Sequence, residues 1–255
     1  MDPATFVGMA IAFGAIIVSI FLEGSSPMSV IIPAPMLLVI GGTIGAGLAT
    51  TTLADFVNGF RALGHFLTYK RRDPEETVEL VVSLADRARR EGLLALEDAA
   101  REVDDDFLKD GLQAAIDGTD PEDLRDMMEA KVEGRRAADR SVAKLFADMG
   151  GFAPTIGIIG TVVSLVHVLE NLSDPSSIGH MIAAAFVATL WGLLTANLIW
   201  LPISSRVKRV SELEAAHMEL AMEGMLAIQA GSGPRVVGAR LRALVGDQGK
   251  QKEAA

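Results

Sequence analysis

All 23 Lys and Arg residues of this chain fall in two stretches, residues 61–144 and 206–252. Outside them lie four long apolar runs, 5–22, 30–53, 153–169 and 181–203, without one cationic side chain in or between the members of each pair. An uncharged apolar run of about 18 residues or more is long enough to cross a bilayer as a helix. Loops rich in Lys and Arg stay on the cytoplasmic side. Together these rules predict an all-α membrane protein with four transmembrane helices. Segments 1–4, 54–152 and 204–255 are expected in the cytoplasm, and the short links 23–29 and 170–180 are expected to face out.

This division predicts four parts: spans one and two in 1–53, a large helical cytoplasmic domain in 54–152, spans three and four in 153–203, and a helical cytoplasmic C-terminus in 204–255. The first run lacks the basic start of a signal peptide, so it is expected to be retained as a span. Cysteine is absent, which excludes a disulfide framework and a thiolate metal site. The four His residues, His65, His167, His180 and His217, have no metal-ligand spacing, and no metal or cofactor is expected. The net charge of −10 comes from the cytoplasmic parts, with 12 acids against three bases in residues 97–126. That balance argues against a nucleic-acid partner.

The cytoplasmic segments read as helices. Asp73-Pro74-Glu75-Glu76 has an acceptor at N-cap, Pro at N1 and an acid at N3. Val78, Val81, Val82, Ala85 and Ala88 follow at helical spacing until Gly92. Leu93, Leu94 and Leu96 begin another helix carrying Glu97. Thr119-Asp120-Pro121-Glu122 has capping-box spacing and opens a longer helix directed at the third span. A separate amphipathic helix is expected after the fourth span, ended by Gly231-Ser232-Gly233-Pro234. A last short helix, 234–244, should precede a disordered polar tail. No strand-like alternation occurs.

The spans lack the group that ion translocation needs. A translocated proton or sodium ion requires a titrating or coordinating group deep in the membrane. The apolar runs hold no Asp, Glu, Lys or Arg, and His167 is their one ionisable residue. Its position near the outer end of a span fits packing better than a proton relay. Either this chain forms no channel, or it is one wall of a channel whose acid comes from another chain. Its spans are instead rich in small residues, with Gly41 and Gly45, Gly157 and Gly160, and Ala188, Gly192 and Ala196 at helical spacing. Small residues let helices approach closely in lipid. Thr161 and Thr189 add hydroxyls to the third and fourth spans. Pro154 reads as the N1 residue of the third span. Pro202 ends the fourth and loosens its last turn.

These residues carry a resemblance. Ala153-Pro154-Thr155-Ile156-Gly157-Ile158-Ile159-Gly160-Thr161, Asp174-Pro175-Ser176-Ser177-Ile178-Gly179, Ala188-Thr189-Leu190-Trp191-Gly192 and Arg89-Arg90-Glu91-Gly92-Leu93-Leu94-Ala95-Leu96-Glu97 resemble the flagellar motor stator subunit MotA, called PomA in sodium-driven motors. The likeness covers nearly the whole chain. It implies a homopentamer in the bacterial inner membrane, with N- and C-termini cytoplasmic, around a dimer of single-span, peptidoglycan-anchored MotB/PomB-type partners that supply the essential Asp. Ion flow would turn the pentamer against the rotor protein FliG. The resemblance further implies rotor-contacting charges at Arg89 or Arg90 and at Glu97. It implies ion-path hydroxyls facing the partner helices at Thr161 and Thr189, and conformational coupling through Pro154 and Pro202. Hydroxyls at both positions favour sodium over protons as the transported ion. Trp191 stands where the family often has Tyr and receives no site role.

The competing reading is a TolQ/ExbB-type energiser of an envelope process, which has three spans where four are expected here. A solute transporter would need a buried polar cluster or inverted repeat, neither of which is visible. No nucleophile–base pair or phosphate loop suggests an enzyme.

Overall fold

The computed structural model describes residues 4–173 and 175–253. The expected cytoplasmic start of the chain, Asp174 of the matched motif and the last two residues fall outside them. The described residues form ten α-helices and no strand: α1 (Ala4–Leu22), α2 (Pro33–Ala49), α3 (Leu53–Thr68), α4 (Pro74–Glu91), α5 (Leu96–Glu102), α6 (Asp106–Ile116), α7 (Pro121–Glu170), α8 (Pro175–Thr195), α9 (Leu201–Gln229) and α10 (Pro234–Glu253). A π-helical turn, Ala196–Trp200, joins α8 to α9 without a break.

Local chemistry sets most boundaries. Asp73 accepts the Glu75 N–H at 3.0 Å, with Pro74 first in α4, as its sequence requires. The α7 cap is Asp120, not Thr119 of the expected capping box. It accepts the Glu122 N–H at 2.9 Å, one residue before Pro121 opens the helix. Gly92, at φ 88°, stops α4, and Gly231, at φ 68°, follows α9, both in a region that L side chains avoid. Helix α6 was not expected from the acid-rich sequence. Asp105 caps it by accepting the Leu108 N–H at 3.0 Å, and Leu108, Leu112 and Ala115 bury its inner face.

Three expectations about boundaries change. The helix expected after the fourth span is not separate, because the π turn carries the chain from α8 straight into α9. Pro154 is not the N1 residue of a helix but lies inside the 50-residue α7. The last helix reaches Glu253, beyond the expected end at 244. At 1.5 Å per residue α7 is about 75 Å long, far more than the ~30 Å hydrocarbon core of a bilayer.

The chain divides into two compact units. The first comprises Met1–Lys70 and Asp139–Val210. In it α2 ends at Ala49, and α3 leaves at 120° after a short turn in which Thr52 accepts the Asp55 N–H. Phe56, Phe60 and Phe66 of α3 pack against Phe146, Met149 and Val207. The second comprises Arg71–Ala138 and Ser211–Ala255. Its core draws Val78 and Val81 from α4, Leu112 from α6, Met128 from α7, Met225 from α9 and Leu241 from α10. Two helical stretches of the described residues are long and apolar enough to cross a membrane alone, Pro121–Glu170 and Ser177–Gln229. The bent pair α2–α3 makes three if counted as one span, and α1 is a shorter apolar helix.

Candidate functional site

The first unit brings α7 and α8 together at two glycines. A Cβ on Gly157 would lie 2.9 Å from Ala188 O, and one on Gly192 would lie 2.7 Å from Ala153 O and 3.3 Å from Pro154 Cα. Backbone therefore meets backbone, which only glycine allows at this separation. One turn further along α7, Gly160 faces Ala188.

That approach places Thr161 and Thr189 side by side. Their hydroxyl oxygens are 2.5 Å apart. Thr161 Oγ1 also lies 3.1 Å from Gly157 O and 3.1 Å from Ala185 O. A hydroxyl has one proton to donate. If Thr161 gives it to a carbonyl, Thr189 must donate to Thr161. The pair is thus a small proton-ordered network across two helices, half-buried rather than fully enclosed. Sequence reasoning selected both residues but did not foresee their mutual bond.

The two prolines sit at the same crossing region. Pro154 inside α7 has no N–H for the carbonyl four residues back, and Gly150 at that position packs on Leu201. Pro202 follows the π turn after one residue, Leu201, whose N–H reaches back five residues to Ala196 O. A π turn widens the helix by one residue and absorbs a ring that would clash in regular α geometry. Trp191, given no role from sequence, donates its indole N–H to Val30 O at 2.7 Å and ties α8 to the link before α2. The signal was available, since a Trp in an apolar span must still satisfy its N–H. Ser204, also missed, donates to Ala143 O at 2.7 Å in a buried position.

In the second unit the three singled-out charges are exposed. Arg90 pairs with Asp86 at 2.6 Å and Glu97 with Arg101 at 2.7 Å, with 73% and 52% of the Arg90 and Glu97 side chains exposed. Such pairs hold their partners weakly. Arg89 leans on Gly233, where a Cβ would meet its Nη1 at 2.6 Å. His167, in the first unit, is exposed and lies 3.6 Å from Glu170.

A cluster that sequence did not reveal ties the second unit together. Asp105 accepts from Arg72 and from His217 Nε2, the latter at 2.5 Å, and His217 Nδ1 lies 3.4 Å from Thr77 Oγ1. Burial pushes the Asp105 carboxyl up. The His217 and Leu108 hydrogen bonds and the charges of His217 and Arg72 outweigh it and hold the pKa at about 2. Asp105 and His217 are 112 residues apart, so no local pattern could link them. Among the described residues no group of His, Cys, Asp and Glu could hold a metal ion.

Fold and site define a class: an all-helical protein with long apolar helices, whose small-residue crossing offers hydroxyls but no carboxylate. The sequence profile described as the MotA/TolQ/ExbB proton channel family matches residues 99–220, and that described as Motility protein A N-terminal matches residues 6–92. Motility protein A of Bacillus subtilis (strain 168) is 37% identical over 244 residues, 94% of this chain and 90% of that protein. Chemotaxis protein PomA of Vibrio alginolyticus is 34% identical over 245 residues, 95% of this chain and 94% of that protein. The fold matches the flagellar MotAB stator complex from Bacillus subtilis with a TM-score of 0.88 at 35% identity, covering 94% of this chain and 95% of that one. It matches C. jejuni MotAB with a TM-score of 0.91 at 27% identity, covering 96% of each chain. The chain belongs to the MotA/TolQ/ExbB proton channel family, among its motility protein A members.

Proposed function

We infer that this chain is a stator subunit of the bacterial flagellar motor, forming an ion channel with a MotB/PomB-type partner. The observation that carries the reading is the combination at α7 and α8. The crossing is smooth, hydroxyl-bearing and proline-flanked, and its apolar parts contain no acid. A translocation path requires a charged or coordinating group. The wall described here is complete except for that group, so a second chain supplies it.

The finer reading is as follows. The chain crosses the inner membrane four times, by α1, α2, the second half of α7, and α8. Both termini are cytoplasmic, in keeping with the placement of Lys and Arg. Five copies surround a dimer of single-span partners. Arg90 and Glu97 push on the rotor protein FliG, and Arg90 is favoured over Arg89 because Arg89 rests on Gly233. Pro154 and Pro202 act as the joint between membrane and cytoplasmic parts. The transported ion is sodium, for which Thr161 and Thr189 add oxygen ligands beside the partner's carboxylate. Their hydrogen bond to each other must then open or reorient when the ion passes.

Co-expression tests this directly. The chain alone, reconstituted in vesicles, should pass no selective cation current. With its single-span partner it should restore swimming to a cell lacking its own stator. A selective current from the chain alone overturns the division of labour. Swimming speed unchanged without external sodium, at fixed pH, overturns the choice of ion.

A further inference from the structure

Two large apolar side chains of the second unit are more than half exposed among the described residues, Leu94 at 75% and Val236 at 63%. Both flank the last turn of α4. Leu94 stands in the short 3-10 turn Leu93–Ala95 that follows Gly92. Val236 stands in the first turn of α10, which runs antiparallel along α4. Gly233 lies against Arg89, a Cβ on Gly238 would lie 3.2 Å from Val82, and Arg242 pairs with Glu75 at 2.7 Å. Neither side chain belongs to the α7–α8 crossing, and neither was singled out from sequence as a site residue.

The backbone holds both side chains outward. Gly92, at φ 88°, donates its N–H to Ala88 O at 2.8 Å and accepts the Ala95 N–H at 3.2 Å. The Leu96 N–H then bonds the Leu93 and Leu94 carbonyls. Leu93 packs on the core and Leu96 is buried in it, which leaves Leu94 turned to solvent. In α10 the Val236 and Val237 N–H groups both bond Gly233 O, at 2.9 and 3.1 Å, and Val237 is fully buried, which turns Val236 out. The charges around them do not balance. Asp86 is taken by Arg90, Glu91 by Arg87 and Glu97 by Arg101. Arg89 and Arg235 have no acidic partner among the described residues. A lone exposed leucine is ordinary on a protein surface. Two exposed apolar side chains beside two uncompensated guanidiniums, rimmed by ion pairs, have the make-up of a protein interface with an apolar centre, Arg and a polar rim.

We propose, on the stator reading given above, that the rotor contact extends beyond Arg90 and Glu97 through Leu94 onto the first turn of α10. Leu94 and Val236 bury against an apolar spot on the rotor protein, and Arg235 meets a carboxylate at its rim. The uncompensated cations select an acidic surface. A second copy of this chain would bring the same cations face to face and is disfavoured by like-charge repulsion. Charge steers the encounter, and the two apolar side chains hold it, so their removal acts on the dissociation rate.

The test uses the full chain with its partner in motile cells, following fluorescently tagged complexes at single motors. Leu94→Ser and Val236→Ser should each shorten the dwell time at the motor roughly fivefold, the scale of losing one anchoring side chain from an interface. Arg235→Glu should shorten it similarly, and Leu94→Met should stay close to wild type. Recovery of the complex from membranes and its melting temperature should be unchanged in these variants, because the side chains are exposed. Val236→Cys, a lone thiol in a chain without cysteine, should crosslink to the rotor protein through a short thiol–amine reagent. Leu80→Cys, about 15 Å back along α4 from Arg90, should not. Dwell times unchanged in Leu94→Ser and Val236→Ser, but shortened in Arg90→Glu, overturn the extended surface and leave the stator reading standing. Dwell times unchanged in Arg90→Glu and Glu97→Lys as well overturn both. Crosslinking of Val236→Cys to a second copy instead of the rotor protein, or equal crosslinking from Leu80→Cys, overturns the surface.

Discussion

The core of the second unit and the crossing of α7 and α8 in the first solve the packing problem in opposite ways. In the second unit a conventional core does the work, with Val, Leu and Met side chains from six helices interlocking around Val78, Val81 and Met225. Salt bridges such as Arg135–Glu214 and Arg136–Glu219 rim it. In the first unit the crossing of α7 and α8 is made by removing side chains, at Gly157, Gly160 and Gly192. With the second unit in water and the crossing in the membrane, as proposed above, water explains the difference. In an aqueous domain, burying each apolar side chain is itself stabilising. Between helices in lipid that drive is absent, and close backbone contact with internal hydrogen bonds takes its place. A core of the first kind tolerates adjustment, because side chains can move. A backbone contact cannot.

Two glycines make this contrast testable, and they should give the largest effect. A Cβ on Gly111 would meet Met225 Sδ at 2.1 Å, closer than any contact a Cβ on Gly192 would make, yet Met225 is a flexible side chain and Ala153 O is backbone. Gly192→Val should abolish swimming and reduce recovery of the assembled complex. Gly111→Ala should keep most motility, with a lowered melting temperature. If the two variants behave alike, the distinction between side-chain and backbone packing fails.

The proline joint comes next. Pro202→Ala restores an N–H and removes the ring that the π turn accommodates. The complex should assemble, but rotation of tethered cells should slow several-fold, and Pro154→Ala should act similarly. Wild-type speed across loads in either variant breaks the proposed coupling between the membrane helices and the cytoplasmic part.

Charge reversal at the exposed surface should act more mildly and without loss of stability. Arg90→Glu and Glu97→Lys each lose an exposed pair worth less than about 1 kcal/mol. Swimming should fall while membrane content is unchanged, and charge-swapped rotor variants should restore part of it. Normal swimming in both single variants and in the double variant removes the assignment.

Asp105 offers a smaller, pH-dependent effect. Its folded pKa of about 2 lies below the unfolded value near 4. A lowered carboxylate pKa contributes stability that is complete above the unfolded value and lost as pH falls through the folded one. The contribution is about 2 kcal/mol near neutrality, vanishing between about pH 4 and pH 2. Asp105→Asn should therefore lower the melting temperature of the complex at pH 7, and the gap from wild type should narrow toward pH 3. A gap independent of pH would mean the carboxylate's charge is not what holds Arg72 and His217. The smallest structural effect belongs to Thr161→Ala, which removes one half of a hydrogen-bonded pair. Assembly should persist, while any dependence of speed on external sodium should weaken.

Much of the architecture was legible because its causes are local. Apolar run length, the confinement of Lys and Arg, the Asp73-Pro74 start and the Gly92 and Gly231 stops are each written in a few consecutive residues. So was the missing carboxylate, and with it the need for a partner. The residues Pro154, Pro202, Thr161 and Thr189 could be selected from sequence, but not their relation. Which hydroxyl bonds which depends on two helices meeting at Gly157 and Gly192, and that is a contact between residues 35 apart in the chain. The unbroken passage through Pro202 depends on a π turn that no propensity announces. Asp105, Arg72 and His217 meet from three different segments. The amino-acid sequence determined where this protein can meet lipid and where its helices start and stop, because those are short-range matters of solvation and backbone geometry. The tertiary structure alone decided which polar groups satisfy one another, because a buried donor takes whichever acceptor the packing of distant helices brings within 3 Å.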